Sequence, residues 1–201
     1  NDLITHEYTV YGNSYYIDYN LYIDGDLVSD IGFKWNIRMN QFEKSLSTER
    51  NLTTAYYKLK KEDEVDYLSE MSDDIEEDFG DRLSWIAYKQ QFFASSFINN
   101  AGFKNAELEV KVPEDDDAYL KDIKSKAEIE VDTDKSKHQF PFKLYFGPVE
   151  HSTLSEAGND LENIIPLGWP IFRAVTIYFI APVFSFLEKY IGNYGIIILI
   201  L

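Results

Sequence analysis

The chain has no cysteine, so disulfides, thiol nucleophiles and thiolate metal sites are all excluded. Histidine is nearly as scarce. His6, His138 and His151 are the only three, none at i+3 or i+4 from another, so no local zinc motif exists. Basic residues are outnumbered, with 19 Lys and Arg against 35 Asp and Glu. No basic stripe is present to hold a phosphate backbone, which excludes nucleic acid as a partner. The glycines form no GxGxxG or GxxxxGK pattern. The acidic run from Asp73 fails as a calcium loop, since its sixth position is Asp78 instead of Gly and its twelfth is Ser84 instead of Glu. Carboxylate pairs occur throughout so acidic a chain and single out no catalytic residue.

Aromatics are abundant, at 15 Tyr, 14 Phe and 3 Trp, which is not the composition of a disordered acidic chain. The charge is also unevenly placed. Of the net −16, residues 1–165 carry −17, while Pro166–Leu201 holds only Arg173, Glu188 and Lys189. A water-loving body therefore gives way to an apolar end. The chain opens on Asn1 without an initiator Met, and loss of an N-terminal targeting segment is expected.

The body reads as strands. Tyr15, Ile17, Tyr19, Leu21 and Ile23 alternate with polar residues up to the turn Asp24-Gly25-Asp26. The same period of two runs through Ile31–Asn40, Ala106–Val112 and Phe140–Phe146. Trp85–Ile98 is more continuous and its aromatics favour two buried strands, with Trp35 and Trp85 expected in the core. The acidic stretches Asp73–Asp78 and Glu114–Asp117 are expected as loops or exposed ends, and Lys121–Lys126 as a short exposed helix. The fold class is mainly β, an antiparallel β-sandwich with C-terminal α-helices.

After Gly147-Pro148 the period changes. Thr153 and Glu156 fit a capping box, predicting a short helix to about Leu161. From Ile171 to Ile191 the pattern is helical, with Pro182 as a kink or boundary. Arg173, Thr176, Ser185, Glu188 and Lys189 share one side, and most of the rest is apolar. Trp169, Phe172, Val175, Phe179, Val183, Phe186 and Tyr190 are the candidate membrane-interface residues. Gly192 and Gly195 are candidates for a turn into the bilayer. Ile196–Leu201 is too short to cross a bilayer, which takes about 20 residues, and is expected to be the start of a spanning helix.

The segments Leu144-Tyr145-Phe146-Gly147-Pro148, Leu167-Gly168-Trp169, Pro182–Leu187 and Ile191–Ile198 follow in an order that resembles the periplasmic domain of YidC-type bacterial membrane protein insertases. Trp85-Ile86-Ala87-Tyr88-Lys89-Gln90-Gln91-Phe92-Phe93-Ala94 is similar to that family's central Trp-x-Ala-x-x-Gln-x-Tyr/Phe-Phe-Ala stretch, and Thr9–Tyr22 to the strand pair before it. The resemblance implies a large, twisted, mutarotase-like supersandwich, here lacking its first strands. It divides the chain into a periplasmic sandwich over 1–150, a short helix and linker over 151–168, an amphipathic interfacial helix over 169–191 and the start of a transmembrane helix over 192–201. It implies a multi-pass protein of the bacterial inner membrane with this region on the periplasmic side. Its partners would be nascent membrane proteins, Sec translocon components and the lipid bilayer. It implies no enzyme activity, cofactor or metal, and the family's groove arginine would lie beyond Leu201. The acidic segments at 61–81 and 114–126 depart from the family pattern. The alternative is a membrane-anchored carbohydrate-binding or carbohydrate-active sandwich, for which only the three histidines could serve a mutarotase-type reaction.

Overall fold

The computed structural model describes residues 3–114, 118–156, 158–166 and 176–200. Contacts divide the chain into two units, Asn1–Ile164 and Ile165–Leu201.

Among the described residues the first unit has ten strands: β1 (Leu3–Val10), β2 (Tyr16–Asp24), β3 (Ile31–Asn40), β4 (Thr54–Leu59), β5 (Val65–Tyr67), β6 (Asp74–Phe79), β7 (Leu83–Lys89), β8 (Phe93–Lys111), β9 (Tyr119–Ile129) and β10 (Lys137–Pro148). A short helix, α1 (Leu46–Arg50), joins β3 to β4. All pairings are antiparallel. One layer has the order β1-β2-β10-β8-β7-β4-β5, and the other is β3-β9-β8-β6. The strand common to both is β8. Its first half lies between β10 and β7, and its second half pairs with β9 and β6.

The crossing needs an unusual backbone. Gly102 has φ +93 and Asn105 has φ 47, and the register with β9 shifts between Lys104 and Glu107. A Cβ on Gly102 would stand 3.1 Å from both Arg82 Cβ and Lys60 Cδ, so a side chain there would be crowded as well as strained by φ.

The core fills the gap between the layers. Leu21, Ile86, Tyr88 and Phe142 from one layer meet Leu108, Val110, Ile123 and Ile129 from the other. Trp35 stacks on Tyr88 across the gap, with ring centroids 4.0 Å apart. The Tyr88 hydroxyl donates to the Trp35 carbonyl at 2.8 Å and lies 2.6 Å from Ser125 Oγ. Trp85 is fully buried, and the stretch around it forms two strands, as its aromatics indicate.

Two expectations are corrected. Asp74–Phe79 is a strand instead of a loop. Its Asp74, Glu76 and Asp78 are exposed, while Ile75 and Phe79 pack on the core. Lys121–Lys126 is strand instead of helix. Asp122 pairs with Arg38 at 2.7 Å, Lys124 with Glu109 at 2.9 Å, and Lys126 with Glu107. Cross-strand ion pairs of this kind stabilise a charged sheet face where helix propensity would have gone unrewarded. The alternation was hidden because Lys121 and Ser125, both polar, are buried. Glu114 lies in a bend after β8, and Asp115–Asp117 lie outside the described residues.

Lys121 donates to the Glu70 carbonyl at 2.9 Å, and Lys89 lies 3.7 Å from the Glu70 carboxylate, which also accepts from Tyr56. Burial holds both ammonium groups below the usual lysine value. Burial pushes the hydroxyls of Tyr57, Tyr88 and Tyr145 up from the ordinary tyrosine value.

Two predictions follow from the core. Trp35→Ala removes the stack and opens a void between the layers, and should cost about 3–5 kcal/mol in denaturant unfolding. The tyrosines set the alkaline limit. Their folded values are raised, so their contribution is complete below about pH 10, where the unfolded chain begins to ionise. It is lost as pH climbs further. The lysine shifts act in the opposite sense, since burial of a charge that costs stability near neutrality is relieved as pH approaches roughly 10.5. Circular dichroism against pH should therefore show the fold intact to about pH 10 and unfolding above it.

Candidate functional site: the C-terminal junction and the apolar segment

The outer face of the first layer, opposite the core, is also apolar. Trp85, Ala87, Ile98 and Tyr145 are at most 1% exposed there. Residues 150–156 and 158–164 cover it, as α2 (His151–Ser155) and a 3-10 turn at Leu161–Ile164. Leu154, Leu161 and Ile164 are fully buried, each contributing about 1.5–3 kcal/mol.

Three side chains from the sheet hold this cover. The Tyr16 hydroxyl donates to the Thr153 carbonyl at 2.8 Å, the Trp85 indole N–H to the Asn159 carbonyl at 2.8 Å, and Lys58 pairs with Asp160. Thr153 is not the cap. Glu150 occupies that position, its carboxylate accepting from Ser152 Oγ at 3.0 Å and Thr153 Oγ1 at 2.9 Å. The helix ends at Ser155 because the chain next turns left-handed: Gly158, Asn159 and Asp160 have φ of 67, 61 and 59. Left-handed residues other than glycine cost roughly 1–2 kcal/mol each, with Asn and Asp the best tolerated. One neutral hydrogen bond at about 1 kcal/mol and one partly exposed ion pair at less than that offset only part of the strain. Burial of Leu161 and Ile164 then decides the balance.

In the second unit, a π-helical turn at Thr176–Ile180 runs into α3 (Ala181–Glu188), followed by α4 (Tyr194–Ile200). Pro182 sits where the π-helical turn gives way to α3, so its missing N–H falls at a change of helix type. Phe184 stacks on Tyr194 with centroids 5.8 Å apart, and the Tyr194 hydroxyl donates to Glu188 at 2.6 Å.

Of the candidate interface residues, Phe179, Phe186 and Tyr190 are 65%, 59% and 75% exposed. Val183 is half-buried. Phe186 and Tyr190 pack together at 5.2 Å. Trp169, Phe172 and Val175 lie outside the described residues. Tyr178, Ile198 and Leu199 add to the exposed apolar set. Gly192 lies in the break between α3 and α4, and neither it nor Gly195 is left-handed. Gly195 has a different use. Its N–H donates to Asn193 Oδ1 at 2.9 Å, and a Cβ there would stand 3.2 Å from that oxygen. Asn193 thus begins α4 in the manner of an N-cap, a role legible in the Asn-x-Gly spacing but not read from it.

The histidines do not assemble. They lie on β1, β10 and α2, and among the described residues the one group spaced to hold a metal is Glu76, Asp78 and Glu107, without histidine. An open pocket of about 340 Å³ at one end of the sandwich, bounded by Tyr15, Ile37, Met39, Phe93 and Phe146, has no charged residue in its walls. No helix among the described residues is long and apolar enough to cross a membrane.

A family model described as the YidC periplasmic domain matches residues 2–181. The chain belongs to that family. The match takes in the whole sandwich, the junction and the chain up to the first residue of α3. Relatives include the membrane protein insertase YidC of Parabacteroides distasonis, 35% identical over 96% of this chain and 32% of the relative. Those of Amoebophilus asiaticus and Phocaeicola vulgatus are 31% and 29% identical, over 85% and 98% of this chain and 29% and 34% of theirs. The chain therefore spans about a third of the length of the YidC relatives it matches.

The junction makes a prediction for this YidC-family domain. Trp85→Phe keeps an aromatic ring but removes the indole N–H and part of the buried ring volume, so the Asn159 carbonyl loses its donor and a small void opens beside it. Denaturant unfolding should register a loss of about 2 kcal/mol, with the sheet's circular dichroism unchanged.

Proposed function

We propose that the chain is the periplasmic part of a membrane protein insertase, and that residues 169–191 lie along the outer surface of the inner membrane. The observation that carries this reading is the exposed apolar set Tyr178, Phe179, Phe186, Tyr190, Ile198 and Leu199, on a chain whose other unit is strongly acidic. A soluble surface rarely leaves so many large side chains wet, whereas the lipid interface accepts them. Family membership and the printed function of the relatives support the same reading.

The physical division of labour is then clear. Each interfacial aromatic contributes roughly 1–3 kcal/mol of membrane affinity. The acidic body is repelled by anionic headgroups and keeps to water. The break at Gly192-Asn193 redirects the chain, and α4 is the opening of a spanning helix. Insertion itself belongs to parts of the protein beyond this chain. Nascent membrane proteins are the clients, and Sec translocon components and the bilayer are partners of the whole assembly. The protein is multi-pass, with this region facing the periplasm, and performs no covalent chemistry. The family match favours this over a carbohydrate-active sandwich.

Liposome flotation tests the interface. Phe179→Asp with Phe186→Asp should release the chain from vesicles and leave the sandwich folded. Flotation equal to the parent would mean that these rings pack on protein. In the whole insertase, deletion of most of residues 1–150 should leave insertion largely intact, and the double substitution should impair it more.

A further inference from the structure

We propose that residues 150–164 form a strap that opens from the sandwich without unfolding it, turning a short, fixed junction into a long tether. Three independent features carry this. The first is the run of three consecutive left-handed residues, Gly158, Asn159 and Asp160, two of them with side chains that enter that region only at a cost. Backbone held this way persists only while its surroundings impose it. The second is incomplete polar pairing under the strap. Ser96 Oγ, on the covered face, and Glu162 Oε2, on the strap, are buried without a hydrogen-bond partner. The third is where the strap's apolar contacts lie. Leu154, Leu161 and Ile164, with Trp85 and Tyr145 beneath them, all fall outside the cluster that fills the gap between the layers. Losing the strap therefore leaves the main core whole, which is the condition for local opening below the global transition.

Closed, the strap is held at Tyr16, Trp85 and Lys58. The Lys58–Asp160 pair fastens the left-handed turn itself. Open, the 15 residues would add a reach of up to roughly 50 Å ahead of Ile165. A domain tethered in this way can follow a partner while the segment after Ile165 stays where it is. The opening stands independently of the membrane reading. It follows from the sandwich alone.

Hydrogen exchange by mass spectrometry on the 201-residue chain in detergent tests it. Amides of 151–156 and 161–164 should exchange at least about tenfold faster than those of β7 and β8. Lys58→Met should speed the strap amides by about threefold or more and leave β7 and β8 unchanged. Ser96→Ala removes an unpaired buried hydroxyl and should slow them. Strap amides that exchange at the rate of β7 and β8 would overturn the proposal. So would a Lys58→Met chain whose strap exchanges as in the parent, or a Ser96→Ala chain whose strap exchanges faster.

Discussion

Because β8 runs through both layers, neither layer can move without the other. Its first half supplies the middle of the seven-strand layer and its second half the middle of the four-strand layer. The two are joined by covalent backbone across a corner whose φ of +93 at Gly102 favours glycine. Facing the corner, Trp35 and Tyr88 stack across the gap, and one hydroxyl ties the ring of one layer to the backbone of the other. The core is thus closed by a strand at one side and by an aromatic pair within. The acidic surface can vary freely around it, since the ion pairs of the outer face are exposed and individually weak.

The legible parts of the fold were those where one face is apolar and the other polar. Ile31–Asn40 was readable to the residue because Phe33, Trp35 and Ile37 alternate with Lys34, Asn36 and Arg38. The misread segments broke that rule for physical reasons. On β9, Lys121 is inside because the Glu70 carbonyl receives its ammonium, so a buried position carries a charge. On β6, four acids in six residues conceal a strand held by β8 and by Ile75 and Phe79. Neither fact is local to the segment. The cap at Thr153 failed similarly. The Ser/Thr-x-x-Glu spacing was present, but Glu150 took the cap position and the Tyr16 hydroxyl claimed the Thr153 carbonyl.

For the candidate site, the apolar character of 176–200 was plain from composition, whereas its geometry was not. A π-helical turn changes the number of residues per revolution, so a face laid out at α-helical spacing through Phe179 and Val183 does not stay continuous. Val183 is half-buried while Phe186 and Tyr190 are exposed. The anchor of the junction, Trp85 on Asn159, joins residues 74 positions apart and has no sequence signature at all.

The arrangement places the two uses of Trp85 in competition with nothing else. Its ring is fully buried on the outer face of the sheet, and its only polar atom is spent on the junction. An aromatic with one donor, buried where no water reaches, requires an acceptor, and the left-handed turn presents the Asn159 carbonyl to it. The same turn would be unfavourable on a free chain. The sheet thus selects a backbone that the segment would not adopt alone, and the segment in turn covers an apolar face whose exposure would cost stability without reaching the core between the layers. Each is incomplete without the other, yet the contact between them is small beside the core between the layers. A contact built on mutual need but modest area, separate from the cluster between the layers, can be lost without that cluster being lost with it.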